Sequence, residues 1–351
     1  MSSPYRFVVP VPRRAATGSV AEVYARSARE LGALFAPHLS VVPELHAALW
    51  AVLRESLLVG AAPRHRKEAV AAAVAVANRC PFCIDAHTAM LHATGEHRLA
   101  SAVLRGDTPE DPADAALVAW AMSTRRPSPR PWPFPPELAP EYVGTALANH
   151  CINRLVDALR PGSPLPGGAL RDPSRRAAGL ALSRTVRRTL PLGESLSLLT
   201  PAAGGATSAA GEPAWAAGAP VGTAWVAFSR ASKAGGALLG DAARDALLSA
   251  VDAWDGEHPE LGNGWLDRAV TGVPEDQLPA ARLAVLAAIA PYRLTDSAVA
   301  AWRSSVGPDG AGRSDADLVR LLAYGAFTAV DRLAAAVSHA DGGRPASLST
   351  G

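Results

Sequence analysis

The chain has 351 residues, of which 49% are hydrophobic and 19% are charged; this composition provides a sizeable core and excludes a disordered chain. A formal net charge of +2 at pH 7 gives no electrostatic basis for binding nucleic acid or an anionic membrane. The first twenty residues lack a basic segment followed by an apolar one, and no uncharged apolar run is long enough to cross a bilayer. We therefore expect a cytoplasmic protein with neither nucleic acid nor membrane as a partner.

Periodic apolar residues predict helices throughout the chain, whereas strand patterns are scarce. The predicted fold class is therefore all-α. In chain order, the predicted helices cover residues 18–36, 43–59, 66–78, 81–94, 97–105, 111–123, 140–160, 172–189, 222–239, 242–255, 279–290, 295–305 and 314–338.

Two stretches rich in proline, glycine and small residues interrupt this pattern. "RRPSPRPWPFPPELAP" (125–140) cannot be helical and is expected to run extended, and a second stretch covers about 190–222. These breaks predict four parts: an N-terminal block 1–124, a Pro-rich linker with connecting helices 125–221, a C-terminal block 222–340 and a flexible tail 341–351.

The front and back blocks share a weak sequence similarity. The stretch that ends at Gly95 aligns without gaps with the stretch that ends at Gly307. We therefore predict two tandem degenerate repeats, of which the second has kept its packing residues and lost its cysteines. The register aligns three pairs of residues: Cys80 with Tyr292, Cys83 with Thr295, and His87 with Val299.

The stretch "NRCPFCIDAHTAM" (78–90) holds two of the three cysteines. A pair this close in a reducing compartment suggests catalysis or metal binding. Because proline is favoured at the first helical position, Cys80 is predicted as N-cap and Cys83 as a first-turn residue. Free backbone N–H groups and the positive end of the helix dipole would stabilise a thiolate at Cys83. His87 shares its helix face and is suited to proton transfer.

Glu68 lies near the start of the preceding predicted helix. If the two helices form an antiparallel hairpin, His87 lies between Glu68 and Cys83. A carboxylate in that place would orient the imidazole and raise its basicity, as in other arrangements of nucleophile, base and orienting acid.

The arrangement Glu-x11-Cys-x2-Cys-x3-His resembles the alkylhydroperoxidase D-like branch of the carboxymuconolactone decarboxylase family. "VGTALANHCINRLVD" (143–157) also looks like a segment of its longer members. The resemblance implies an all-helical alkylhydroperoxidase D-like fold around a hairpin, with thiol-dependent hydroperoxidase or disulfide reductase activity. Some members have a histidine between the cysteines; Pro81 and Phe82 stand there instead, which argues against a high peroxidase rate.

The same resemblance implies a role for each matching residue. Cys83 would attack the peroxide, Cys80 would resolve the product as a Cys80–Cys83 disulfide, and Glu68 with His87 would relay protons. It implies no bound cofactor; an external dithiol of the lipoyl or thioredoxin type, carried by a thiol donor protein, would restore the thiols. The substrate would be a small hydroperoxide or disulfide, and we expect a homo-oligomer, in the simplest case a dimer.

Several alternatives remain open. The cysteines would otherwise be plain buried apolar residues. Zinc bound by Cys80, Cys83 and His87 with His92 or His97 is a rival, although histidines five residues apart point about 140° from one another round a helix, so no metal is predicted. A redox-sensing or non-enzymatic protein with this fold is another rival, as is the decarboxylase or lactone-type activity of the family, whose namesake branch generally lacks the cysteine pair.

Three further residues on the predicted helix 140–160 are weaker candidates. His150 is either a packed core histidine or a group that lines the thiol pocket from behind. Asn153 and Arg154 either bind an anionic substrate or tie helices together, and the sequence does not distinguish these roles.

Overall fold

The computed structural model describes residues 4–160, 162–163, 165, 167, 171–199, 211–216, 218–305 and 312–338. Within these ranges the chain forms α-helices, short 3-10 segments and one π-helical turn, and no strand. The prediction of an all-α fold is confirmed. The expected tail 341–351 lies outside the described residues.

Fourteen α-helices occur in the described part of the chain. They are α1 (Gly18–Glu30), α2 (Pro43–Leu53), α3 (Arg64–Asn78), α4 (Pro81–Thr94), α5 (His97–Arg105), α6 (Pro112–Ser123), α7 (Ala139–Leu159), α8 (Arg171–Val186), α9 (Pro220–Lys233), α10 (Asp241–Ala253), α11 (Gly264–Ala269), α12 (Leu278–Ile289), α13 (Asp296–Ser304) and α14 (Asp315–Ser338).

All thirteen predicted helices are present, with small differences at their ends. The first ends at Glu30 rather than residue 36, because Gly32 and Ala36 adopt left-handed backbone conformations at φ 80° and 38°. The predicted helix 43–59 is α2 continued by a π-helical turn, Arg54–Leu58. Helix α11 was not predicted, since six residues are too few to show helical periodicity.

The Pro-rich segment is non-helical as predicted, up to a 3-10 turn at Pro136–Leu138. Its aromatic residues fix it to the helices: Trp132 stacks on Phe134, and the Phe134 ring meets Trp120 edge-on at 4.9 Å. These ring contacts therefore fix the position of the segment that leads into α7.

Helix α3 lies at the centre of the front block, in contact with α4, α6 and α7. Helix α4 is covered along its length by α8. Helices α2 and α7 pack against α9 and α14 of the back block, so one hydrophobic core extends from Val8 to Val337. The two cysteines lie outside that core, in a small cluster with Ala75 and Val156.

In the back block, α12 and α13 form a second hairpin that packs on α14. The tandem repeat and the block boundaries stay predictions. By length and composition alone, α14 is the one described helix that is long and apolar enough to cross a membrane, and 67% of its apolar window is buried inside the protein. Its apolar composition is accounted for by that burial; Arg320 and Asp331 interrupt it in the sequence.

Candidate active site

The turn between α3 and α4 determines where the thiols lie. Helix α3 ends at Asn78, and Arg79 adopts the left-handed conformation at φ 59°. Cys80 then takes the extended N-cap position and Pro81 begins α4, which places Cys83 in its first turn. The sequence predicted this helix break, and the local reason is that Pro81 cannot continue a helix from α3.

The two sulfur atoms face one another across this turn. Cys80 and Cys83 are both free and buried, and the Cys80 thiol donates a hydrogen bond to Cys83 Sγ over 2.8 Å. Burial, followed by the neighbouring Cys83 sulfur, raises the pKa of Cys80 well above its ordinary value. Cys80 is thus held as a thiol, and a disulfide of about 2.05 Å requires only a small movement of either side chain.

Glu68 and His87 form a second pair. Glu68 is fully buried; its Oε2 accepts a hydrogen bond from His87 Nδ1 at 2.8 Å, and its Oε1 accepts one from Arg64 Nε at 2.8 Å. Burial alone would raise the pKa of Glu68, but the charge of Arg64 and the hydrogen bond to His87 outweigh it and lower the pKa. Glu68 is therefore an ionised carboxylate that orients the imidazole.

Asn149 of α7 contacts the other side of that ring. His87 Nε2 lies 2.8 Å from Asn149 Oδ1, and the amide is oriented because its Nδ2 donates to the Thr145 carbonyl at 2.9 Å. Both ring nitrogens thus face side-chain oxygen atoms, which fix the orientation of the ring. The sequence analysis missed Asn149, because no local pattern shows which face of α7 turns toward His87.

A mainly apolar cavity of about 260 Å³ connects the two pairs. Cys83, His87 and Glu68 all border it, whereas Cys80 lies behind Cys83 and does not. No direct hydrogen bond joins Cys83 to His87 among the described residues; the two side chains share the cavity instead. Its apolar wall comes from several helices and loops and includes Leu31, Phe35, Leu57, Met90, Ile152 and Leu182.

Two charged groups also border this cavity, and the sequence analysis singled out neither. The Arg160 guanidinium lies 4.1 Å from the ring centre of Phe82, next to Cys83 along the wall. Asp85 of α4 is buried and accepts a hydrogen bond from Arg175 Nε of α8 at 2.7 Å. This ion pair fastens α8 over α4 and so closes one side of the cavity.

Comparisons with known proteins identify the family of this chain. The family model for the carboxymuconolactone decarboxylase family matches residues 43–123, the stretch that carries Glu68, both thiols and His87. An alkyl hydroperoxide reductase of Mycobacterium tuberculosis is 42% identical over 332 residues, which cover 93% of each chain. The chain belongs to the carboxymuconolactone decarboxylase family. No solved structure gives a significant match.

The family model ends before α7, so Asn149 and Arg160 reach the site from outside the matched segment. The long relative covers α7 as well. In this chain the site is therefore assembled from the hairpin α3–α4, which lies in the matched segment, and from α7, which follows the Pro-rich segment.

The structure places His150, Asn153 and Arg154 away from the cavity, and none of them borders it. His150 is fully buried between Asn78 and Thr124, with ring-nitrogen distances of 3.1 and 2.8 Å, and burial holds its pKa well below the ordinary value. Asn153 accepts a hydrogen bond from Asn78.

Arg154 joins the two halves of the protein. Its Nε donates to the Ala288 carbonyl of α12 at 2.7 Å, and its Nη1 donates to the His150 carbonyl at 2.8 Å. These contacts favour the interpretation of Asn153 and Arg154 as residues that tie helices together.

The histidines of the zinc alternative are not gathered round the thiols. His92 Nδ1 and His97 Nδ1 lie 2.8 Å apart, and both nitrogens of His87 already face Glu68 and Asn149. In the part of the chain that the structure describes, no group of three or more histidine, cysteine or acidic side chains is arranged to hold a metal.

Proposed function

We propose that this protein reduces organic hydroperoxides through a Cys80/Cys83 dithiol, with Glu68 and His87 as its proton relay. One observation carries the proposal: Cys83, His87 and Glu68 border the same apolar cavity, while the Cys80 sulfur lies 2.8 Å behind that of Cys83. Its relative is an alkyl hydroperoxide reductase by name, and an apolar wall suits the alkyl part of such a substrate.

In the first half of the reaction, the Cys83 thiolate attacks the distal oxygen of the hydroperoxide. The S–O bond forms, the O–O bond breaks, and the alkoxide takes a proton from His87 and leaves as an alcohol. Glu68 keeps the ring in place and stabilises its positive charge before that transfer. Cys83 is left as a sulfenic acid.

In the second half, Cys80 attacks the Cys83 sulfur. The Cys80 S–H bond breaks as the S–S bond forms, the S–O bond breaks, and the hydroxide leaves as water; the proton that it takes up balances the one that Cys80 releases. An external dithiol of the lipoyl or thioredoxin type then reduces the disulfide and is itself oxidised, so no bound cofactor is needed. We extend the proposal to a thiol donor protein as the physiological partner and to self-association as a dimer.

The test is peroxide turnover with dihydrolipoamide or reduced thioredoxin, measured for cumene hydroperoxide and hydrogen peroxide. We expect C83S to lose turnover by at least about 10³-fold, because no other thiol borders the cavity. C80S should stop after one turnover with a sulfenic acid at Cys83 that dimedone traps. C151S is the matched control: Cys151 is buried in the core, burial raises its pKa to about 12, and turnover should not change.

Retained turnover in C83S would contradict the proposal. A wild-type protein that forms the disulfide reversibly but does not turn over with any reductant would instead favour the redox-sensor alternative. A wild-type protein that consumes a lactone or carboxylate substrate independently of its thiols would favour the decarboxylase alternative. The apolar wall predicts a higher kcat/KM for cumene hydroperoxide than for hydrogen peroxide.

A further inference from the structure

Asp157 lies in the last turn of α7, beside the Cys80 thiol, and is only 4% exposed. It does not border the cavity of about 260 Å³ that His87 and Cys83 line. Among the described residues, its buried Oδ2 has no hydrogen-bond donor. A buried carboxylate with an unsatisfied acceptor atom lowers the stability of a protein. Its position beside the Cys80 sulfur points to a functional role that offsets this penalty.

Cys80 needs a proton acceptor that the sequence analysis did not supply. To attack oxidised Cys83 it must lose its proton, yet burial and the neighbouring sulfur raise its pKa well above the ordinary value. His87 faces Glu68 and Asn149 with its two nitrogens and borders the cavity on the Cys83 side. A separate base on the Cys80 side would resolve this difficulty.

We propose that Asp157 accepts the Cys80 proton when Cys80 attacks oxidised Cys83, and returns it when the disulfide is reduced. This inference rests on the proposed dithiol function. In the forward step the Cys80 S–H bond breaks, its proton passes to the Asp157 carboxylate, the S–S bond forms, and the group on Cys83 leaves with the electron pair of its bond to sulfur. In the reverse step one sulfur of the external dithiol bonds to Cys83, the Cys80–Cys83 bond breaks, and the departing Cys80 thiolate takes its proton back from Asp157; the second sulfur of the dithiol then displaces Cys83 and closes the dithiol's own disulfide.

The surroundings of Asp157 are suited to reversible protonation of its carboxyl group. A second cavity of about 10 Å³, large enough for about one water molecule, is lined by polar groups from several elements. Arg154 directs two of its N–H groups at backbone carbonyls, so it does not form an ion pair with Asp157 that would hold the carboxylate permanently ionised. The polar lining residues are Asn78, Arg125, Arg154, Asp157, His258 and Tyr292.

Burial raises the pKa of Asp157 to about 7, even though the Cys80 thiol and Arg154 favour its ionised form. A carboxyl group that titrates there can accept a proton and return it. The charged groups that face it do not titrate in this range: the pKa is about 10 for Arg125, about 9 for Arg154 and about 4 for His258. Asp157 is thus the member of this cavity that changes charge near pH 7.

The experiment isolates the resolving step without peroxide. 5,5′-Dithiobis(2-nitrobenzoate) reacts with Cys83 to release one thionitrobenzoate, and attack by Cys80 on the mixed disulfide releases a second. We expect D157N to leave the first release unchanged and to slow the second by about 10²-fold, the usual contribution of a positioned base. The second rate in the wild type should rise with pH through about 7, and that rise should be absent in D157N.

D157E, which keeps a carboxyl group, should recover part of the rate and the rise with pH. D114N is the matched control: it removes another largely buried carboxylate, one that pairs with Arg66 away from both cavities, and should leave both releases unchanged. Because the folded state favours the protonated form of Asp157, the neutral amide should be at least as stable at pH 7.

A second release in D157N within twofold of wild type at every pH from about 5.5 to 8.5 would overturn the inference. Loss of both releases in D157N, with D157E showing no rise with pH either, would overturn it as well. A wild type that gives both releases but no peroxide turnover would instead remove the proposed peroxidase function and leave the role of Asp157 standing.

Discussion

The hairpins α3–α4 and α12–α13 begin their second helices in opposite ways. Helix α13 is capped conventionally: Thr295 Oγ1 accepts a hydrogen bond from the Ala298 N–H at 3.2 Å, and Asp296 places an acid in the first turn. Helix α4 has Cys80 at its N-cap with no side-chain capping bond and no acid in its first turn. In the back hairpin, a side-chain oxygen atom accepts a hydrogen bond from an N–H group at the start of the helix. In the front hairpin no side-chain oxygen caps the corresponding N–H groups, so they remain available to stabilise a thiolate.

The surroundings of the two hairpins differ as well. Helix α4 lies beneath α8, and the space between them opens into the cavity that reaches Cys83. Helix α13 packs mainly on α12 and has Val299 where the predicted register puts His87. The comparison indicates that the front hairpin lacks the side-chain cap of the back hairpin, and that it has instead a covering helix and a cavity that reaches Cys83.

The largest expected effect comes from making the front hairpin resemble the back one. H87V should lower kcat/KM for cumene hydroperoxide by about 10²- to 10⁴-fold, the range of a general acid, because the alkoxide loses its proton donor. The helix should persist, since valine occupies the equivalent place in α13. H65V is the control, as His65 also lies in the hairpin but does not border the cavity. Turnover in H87V within a factor of three of wild type would contradict the relay.

The hairpin could be predicted from the sequence because its signals are local. Asn78, Pro81 and the four-residue step from Cys83 to His87 determine the helix break and the shared helix face without reference to the rest of the chain. The helix pattern and the Pro-rich break depended on local composition in the same way.

The remainder of the site depends on packing between distant segments. Asn149, Asp157 and Arg160 reach the surroundings of the hairpin from α7 and its end, roughly seventy residues further along the chain. No residue spacing encodes which face of α7 turns toward α4, so a polar residue on that helix could not be assigned to the dithiol. Likewise His150 is next to Asn149 in sequence but faces Thr124 and Asn78 instead.

A smaller effect is expected where α8 approaches α4. A Cβ atom at Gly179 would lie 2.7 Å from the Ala89 carbonyl oxygen, so G179A must push the two helices apart. We expect a loss of about 1–3 kcal/mol in the free energy of unfolding, and a changed KM for cumene hydroperoxide because Leu182 of α8 lines the cavity. Urea unfolding measures the change in the free energy of unfolding, and steady-state kinetics measure the change in KM.

A181S is the matched control for the contact of α8 with α4, because Ala181 is exposed on the same helix. It should leave KM unchanged and lower the free energy of unfolding by no more than about 0.5 kcal/mol, the difference in helix propensity. If G179A changes neither quantity, α8 does not pack on α4 as closely as the structure describes, and the contrast with the open back hairpin weakens.

The smallest expected effect tests the caps themselves. T295A should lower the free energy of unfolding by about 1 kcal/mol, because the Ala298 N–H loses its acceptor, and T295S should restore it. C80S should raise the free energy of unfolding by about 0.5 kcal/mol, because serine is a better N-cap than cysteine and the Cys80 side chain makes no capping hydrogen bond that could be lost. Urea unfolding of the reduced proteins measures both. A loss in C80S as large as that in T295A would mean that the sulfur already caps α4, and that the two hairpins begin alike.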